Sequence, residues 1–198
     1  LARIRISILF LLWLTGSTSC LAGSRAALYL GGGGNLAVGD LGERAETGYH
    51  AGLGAGVPLA AVPSGGIEFI LRGFYHRLLS DIDTEGDFSF VAAGVDVKIS
   101  YRQRNGSTLY LILGGGYAKA RREQFMYRST VATASGLRII ERQIESRSEN
   151  DFYASPGFGA ELAAGGPIRP FIEFRFTDVS GTYISDYQFV TVTLGVKI

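Results

Sequence analysis

From residue 23 onward, apolar and polar residues alternate in run after run, separated by turn-forming residues and without a sustained 3.6-residue period. The last run is the clearest. Val190, Val192, Leu194, Val196 and Ile198 share one phase, and Thr191, Thr193, Gly195 and Lys197 share the other. Successive side chains on a strand point to opposite faces, so each run predicts a strand with one apolar face. Strands are predicted over 26–35, 46–57, 67–77, 87–101, 108–120, 151–162, 170–178 and 186–198. Ile172, Phe174 and Phe176 oppose Glu173 and Arg175, and Val91, Ala93, Val95, Val97 and Ile99 oppose Asp96 and Lys98. Ile67, Phe69 and Leu71 oppose Glu68 and Arg72, and Tyr49, Ala51, Leu53, Ala55 and Val57 oppose glycines. The second face therefore carries glycine, small polar residues or charge.

A soluble sandwich alternates in the same way. Three features point instead to a sheet surrounded by lipid. The runs are about 9–13 residues long, the length a tilted membrane-crossing strand needs. The connections at 58–66, 102–107 and 163–169 are brief and contain Pro, Asn-Gly or Gly-Gly, whereas 121–150 is much longer, the asymmetry of membrane barrels. A complete alternating strand also closes the chain. Tyr49, Tyr75, Tyr117, Phe152 and Phe176 fall near one end of their strands on the apolar phase and Tyr101 near the other, where interfacial girdles sit. In hydrocarbon an open sheet edge leaves backbone groups unpaired, so closure is required. The predicted fold is all-β: an eight-stranded antiparallel up-and-down transmembrane barrel over 23–198, with an extended outer hairpin at 121–150.

Ahead of the barrel, Arg3 and Arg5 precede an apolar run from Ile6 to Leu14 and then the small residues Thr15 to Ala22. This is the layout of a cleavable signal peptide over 1–22, too short to span a bilayer. Cleavage is expected after Ala22. The other reading is lipidation at Cys20, but Ser17 stands at the third position before it, where a lipidation signal usually has Leu. Cys20 is the single cysteine, so no intrachain disulfide forms. Lys+Arg 19 against Asp+Glu 18 leaves a net charge of +1, which argues against a nucleic-acid partner. The 28 glycines follow no G-X-Y period and lie inside apolar runs, as a narrow barrel with close backbone approaches requires.

The segments ALYLGGGGN, LYLILGGGYAKA, SPGFGAEL and QFVTVTLGVKI carry a resemblance to the small outer-membrane β-barrel superfamily of the OmpA transmembrane domain, OmpX and the opacity-type surface antigens. It spans essentially all of 23–198. The resemblance implies insertion in the outer membrane of a Gram-negative bacterium by the barrel-assembly machinery, as a monomer in contact with outer-membrane lipid and lipopolysaccharide. It also implies a surface role toward another surface protein or a host ligand. Many members end in Phe, whereas this chain ends in Ile198.

Three groups of residues carry candidate chemistry. Glu68, Arg72, Asp96, Lys98, Glu161, Glu173 and Arg175 lie on the inward phase. Eight strands leave a lumen that side chains fill, so these charges are expected to form a structural ion-pair network rather than line a pore. His50 and His76 sit on the inward phase near the outer rim of adjacent strands. With Ser80, Asp81 or Asp83 they suggest a hydrolase, yet no Ser stands two residues after either His and no nucleophile elbow occurs. Two histidines without a third ligand make a poor zinc site, so no catalytic residue, metal or cofactor is assigned. In the outer hairpin, Phe125, Tyr127, Arg128, Ile140 and Arg142 are the candidate interaction residues. The expected function is a non-enzymatic barrel with envelope-structural and adhesin-like or antigen-like roles. A membrane-embedded lipid A-modifying hydrolase and a narrow pore are the alternatives.

Overall fold

In the computed structural model the alternating runs become long strands that pair edge to edge until the first meets the last. The structure describes residues 26–43, 45–62, 64–80, 87–133, 136–164, 166–180 and 187–198. The segment 1–22 with Cys20, expected to be a signal peptide, and also Asp81 and Asp83, lie outside the described residues. The strands are β1 (Ala27–Val38), β2 (Ala45–Val62), β3 (Gly65–Ser80), β4 (Phe88–Arg102), β5 (Thr108–Arg122), β6 (Phe125–Thr133), β7 (Gly136–Ile144), β8 (Arg147–Glu161), β9 (Arg169–Ser180) and β10 (Tyr187–Lys197). Eight of them form a closed antiparallel barrel in the order β1-β2-β3-β4-β5-β8-β9-β10, and β6 and β7 form a separate two-stranded sheet.

Closure is by β1 against β10, from Tyr29↔Lys197 to Val38↔Gln188. Beyond the ladder, Leu28 and Ile198 exchange two backbone hydrogen bonds of 2.9 Å. Every wall strand thus has a partner on both sides, as hydrocarbon demands. The apolar phase faces outward: Leu28, Leu30, Leu53, Leu71, Val91, Ile99, Leu111, Leu113, Phe158 and Leu194 are exposed on the wall. Tyr49, Tyr75, Tyr117, Phe152 and Phe176 are likewise exposed toward the hairpin end, and Tyr101 at the short-turn end. At that end the backbone reverses at Asn105-Gly106, where Gly106 takes φ +85°, a conformation that a side chain would strain.

The strands run further than the alternation indicates. The connection expected at 58–66 is mostly strand: β2 and β3 stay paired to Val62↔Gly65, with a register irregularity between Pro58 and Ala60. Pro58 cannot donate to the ladder, so the pairing slips there and then resumes. Leu59, Ala60, Ala61 and Val62 are all exposed, so no alternation marks the extension. At the other end the ladder β5–β8 runs to Arg122↔Arg147. The hairpin then pairs Phe125↔Ile144 through Thr133↔Gly136. The position numbers of each pair sum to 269 on both sides of the break (122 + 147 and 125 + 144), so the hairpin keeps the register of the wall.

Candidate functional site in the lumen

The inward phase brings together all seven charges named from the sequence, in two clusters stacked along the barrel. The first is midway. The Arg175 guanidinium donates to both carboxylate oxygens of Asp96, Nη2 to Oδ2 at 2.6 Å and Nη1 to Oδ1 at 3.2 Å, and Nε donates to Glu173 Oε1 at 2.7 Å. Arg72 Nη1 donates to Glu173 Oε1 at 2.6 Å, and its Nε lies 2.9 Å from Asp96 Oδ2. The Tyr110 hydroxyl donates to Glu173 Oε2 at 3.1 Å. Two arginines and two carboxylates thus compensate each other where all four side chains are almost fully buried. Removing such charges from water costs several kcal/mol per ion, roughly, and only mutual pairing with well-aimed hydrogen bonds offsets it.

The second cluster lies toward the short turns. Lys98 is bonded to Glu161 and to the Tyr29 hydroxyl (3.0 Å), and lies 3.5 Å from Glu68 Oε2. The Tyr29 hydroxyl donates to Glu68 Oε2 at 2.6 Å. Lys197 donates to the same oxygen at 2.9 Å and stands 3.6 Å from Glu161. The Lys98 ammonium also lies over the Tyr110 ring, 4.5 Å from its centroid. Below this cluster a cavity of about 290 Å³ opens among Glu68, Lys98, Glu161, Arg169 and Lys197 at the short-turn mouth.

Glycine on the inward phase makes the space for these long side chains. A Cβ on Gly114 would meet the Asp96 carboxylate and Arg175, and one on Gly159 would meet the Tyr110 ring and hydroxyl.

Towards the hairpin, the next layer holds the two histidines. His50 and His76 are register partners on β2 and β3, and their rings stack with centroids 5.3 Å apart. Asn35 donates its amide to the Tyr49 carbonyl at 3.0 Å, so its Oδ1 is an acceptor. His50 Nδ1 then donates to that oxygen at 2.8 Å, which leaves Nε2 to accept the Thr193 hydroxyl at 2.8 Å. Hydroxyl, imidazole and an orienting group in line have the layout of an activated nucleophile. The surroundings do not suit one. The free volume beside the histidines is about 10 Å³, enclosed by Phe74, Phe90, Phe189 and neighbours, which is room for roughly one water. Among the described residues, no group of three His, Cys, Asp or Glu side chains is placed to hold a metal ion.

Above the histidines the lumen is mostly aromatic and aliphatic, although the buried Asp151 also faces inward there, which corrects the expectation that every inward face carries glycine, small polar residues or charge. Leu78, Phe88, Phe90, Val179, Tyr187 and Phe189 are almost completely buried there, together with Leu41 from the 3-10 turn Gly39–Glu43. His50 and His76 therefore lie beneath this layer, not open at the rim. The sequence signal was present: Phe88 and Phe90 share the phase of Asp96 and Lys98. Lys197, Tyr29 and Tyr110 lie on the same inward phase and complete the clusters, beyond the seven charges named from the sequence. In the hairpin, Ile140 is exposed, whereas Phe125, Tyr127, Arg128 and Arg142 are described by backbone alone.

No known protein family's sequence profile matches the chain, and no curated protein matches it. Solved structures do match. Neisserial surface protein A is similar over 89% of this chain and 98% of its own, with a TM-score of 0.62 and 12% identity. A second, described as the outer membrane enzyme PagL, is similar over 87% of this chain and 98% of its own, with a TM-score of 0.50 and 13% identity. At these identities the similarity shows the fold alone: the chain shares the small closed-barrel fold of these proteins.

Proposed function

We propose that the protein is a non-enzymatic integral barrel of the Gram-negative outer membrane, which serves the envelope structurally and displays its outer strands and the β6–β7 hairpin for surface interaction. The observation that carries this reading is the division of the two wall faces. The outside is an apolar belt bounded by aromatic residues, and the inside is filled by paired charges, hydrogen-bonded histidines and an aromatic layer. A wall of this kind needs lipid outside. A lumen so filled above the short-turn cavity leaves no continuous water path through the barrel. The hairpin extends the β5–β8 ladder beyond the wall with both lateral edges unpaired among the described residues, and unpaired edges are available to a partner strand.

An enzyme acting on envelope lipid is the second class of function for this fold, since PagL is described as an outer membrane enzyme. Here the Thr193–His50–Asn35 line faces the lumen, away from the lipid side where such a substrate lies. Two measurements test the proposal. The chain deleted of 125–144 should still enter the membrane and lose any adhesion the intact protein confers; full adhesion after deletion removes the hairpin from the proposal. The His50→Ala variant should leave lipid A mass unchanged in expressing cells, and a mass shift caused by the intact protein but not the variant restores the enzyme.

A further inference from the structure

The outward wall above the aromatic ring is not electrically uniform. In register across three strands, Arg77 (β3) pairs with Ser89 (β4), and Ser89 with Arg121 (β5). One step nearer the belt, Tyr75, Val91 and Lys119 form the next row, and Gly73, Ala93 and Tyr117 the one below it, with Phe152 beside Tyr117 on β8. All lie on the outward phase, so the sector passes from cationic and hydroxyl-bearing to aromatic and aliphatic within a few residues.

The three cations are not equivalent. Arg77 is compensated, its Nε and Nη2 donating to Asp87 Oδ2 at 3.2 and 2.8 Å, with Glu123 at 3.5 Å. Lys119 and Arg121 are exposed, and among the described residues neither has an ion-pair partner. Their lateral neighbours are Ser89, Val91, Ser148 and Asn150, which bring no opposing charge. On β9 and β10, the outward positions near that end are Asp178 and Gln188, themselves register partners. The positive charge therefore belongs to one sector and is not a general feature of the rim.

We infer that Lys119 and Arg121, with the Ser89 hydroxyl between Arg121 and Arg77, form a binding site for the phosphate of an outer-leaflet glycolipid of the lipid A class. Its acyl chains lie along Val91, Ala93, Tyr117 and Phe152. The inference deepens the outer-membrane reading and rests on it. Charge and layering select the ligand: a phosphate supplies the anion that the two free cations lack, and it sits at the level where the wall turns from aromatic to polar. A cation near such a surface contributes through charge attraction that ordinary salt only partly screens.

The test is native mass spectrometry of the full protein extracted in mild detergent, titrated separately with bisphosphorylated lipid A, dephosphorylated lipid A and phosphatidylglycerol. The Lys119→Gln/Arg121→Gln double variant should bind bisphosphorylated lipid A about thirtyfold more weakly than the intact protein. Dephosphorylated lipid A should bind both proteins equally weakly, and Lys119→Arg/Arg121→Lys should retain binding. Equal affinity of the double variant and the intact protein for bisphosphorylated lipid A overturns the site, as does phosphatidylglycerol binding as tightly as lipid A. Unboiled electrophoretic mobility distinguishes the two levels of failure. A folded, heat-modifiable barrel without phosphate dependence refutes only the site, whereas absence of a mobility shift in the intact protein refutes the membrane reading beneath it.

Discussion

At the scale of single residues, the barrel depends on inward charges that tolerate burial only together. Asp96 accepts from Arg175 and lies against Arg72, so Asp96→Ala leaves two buried guanidiniums short of a partner. It should destabilise the folded barrel by about 3–5 kcal/mol, read as a lower urea midpoint in lipid vesicles followed by circular dichroism. The Asp96→Ala/Arg175→Ala double variant should lose less than the two single changes added, because removing both partners strands less charge; strict additivity would show that the pair is not coupled. Gly114→Ala tests the space rather than the charge. The added methyl falls against Asp96 and Arg175, and a loss of about 1–3 kcal/mol is expected from overpacking, with an unchanged midpoint contradicting it. The charges themselves were legible from phase alone, since Glu173 and Arg175 can only face inward if Ile172, Phe174 and Phe176 face lipid. Their pairing was not, because Arg72 and Glu173 are far apart in the chain and meet only across the closed lumen.

At the scale of elements, alternation specified the eight wall strands and their facing, and it failed where one phase stopped being informative. β2 beyond Pro58 is exposed on both phases, so the contrast disappears there, and at the start of β4 it inverts, with Phe88 and Phe90 inward and Asp87 and Ser89 outward. A reading that assigns the apolar phase to lipid misses the first and mistakes the second. The register of the hairpin was likewise invisible, since it emerges only from the continuity of Arg122↔Arg147 into Phe125↔Ile144. Because β6 and β7 pair only with each other among the described residues, deletion of 125–144 should leave the stability of the barrel in urea within about 0.5 kcal/mol, the usual range for changes away from a core. A large drop would mean that the hairpin helps to close the wall. Within β10 the two faces should respond oppositely: Val192→Arg places a cation on the lipid side and should cost about 2–4 kcal/mol if it lies near the bilayer midplane. Tolerance of that change would argue that water meets this face.

At the scale of the whole molecule, the lumen is closed in layers of different chemistry: an ion cluster above the short-turn cavity, a second ion cluster, the histidine layer and the aromatic layer. Purified protein in planar bilayers should therefore give no single-channel steps; reproducible steps whose conductance changes in Arg72→Gln would revive the narrow pore. The division between a filled inside and an apolar outside underlies all the proposed roles, and it is open to direct measurement. Nitroxide labels placed singly at 190 through 196, with Cys20 replaced by Ser, report collision with lipid-soluble oxygen and with a water-soluble nickel chelate in vesicles. The expected result is a two-residue rhythm, with high oxygen accessibility at 190, 192, 194 and 196 and low accessibility to both reagents at 191 and 193. High nickel accessibility at 192 and 194, or no alternation, would contradict a wall that meets lipid.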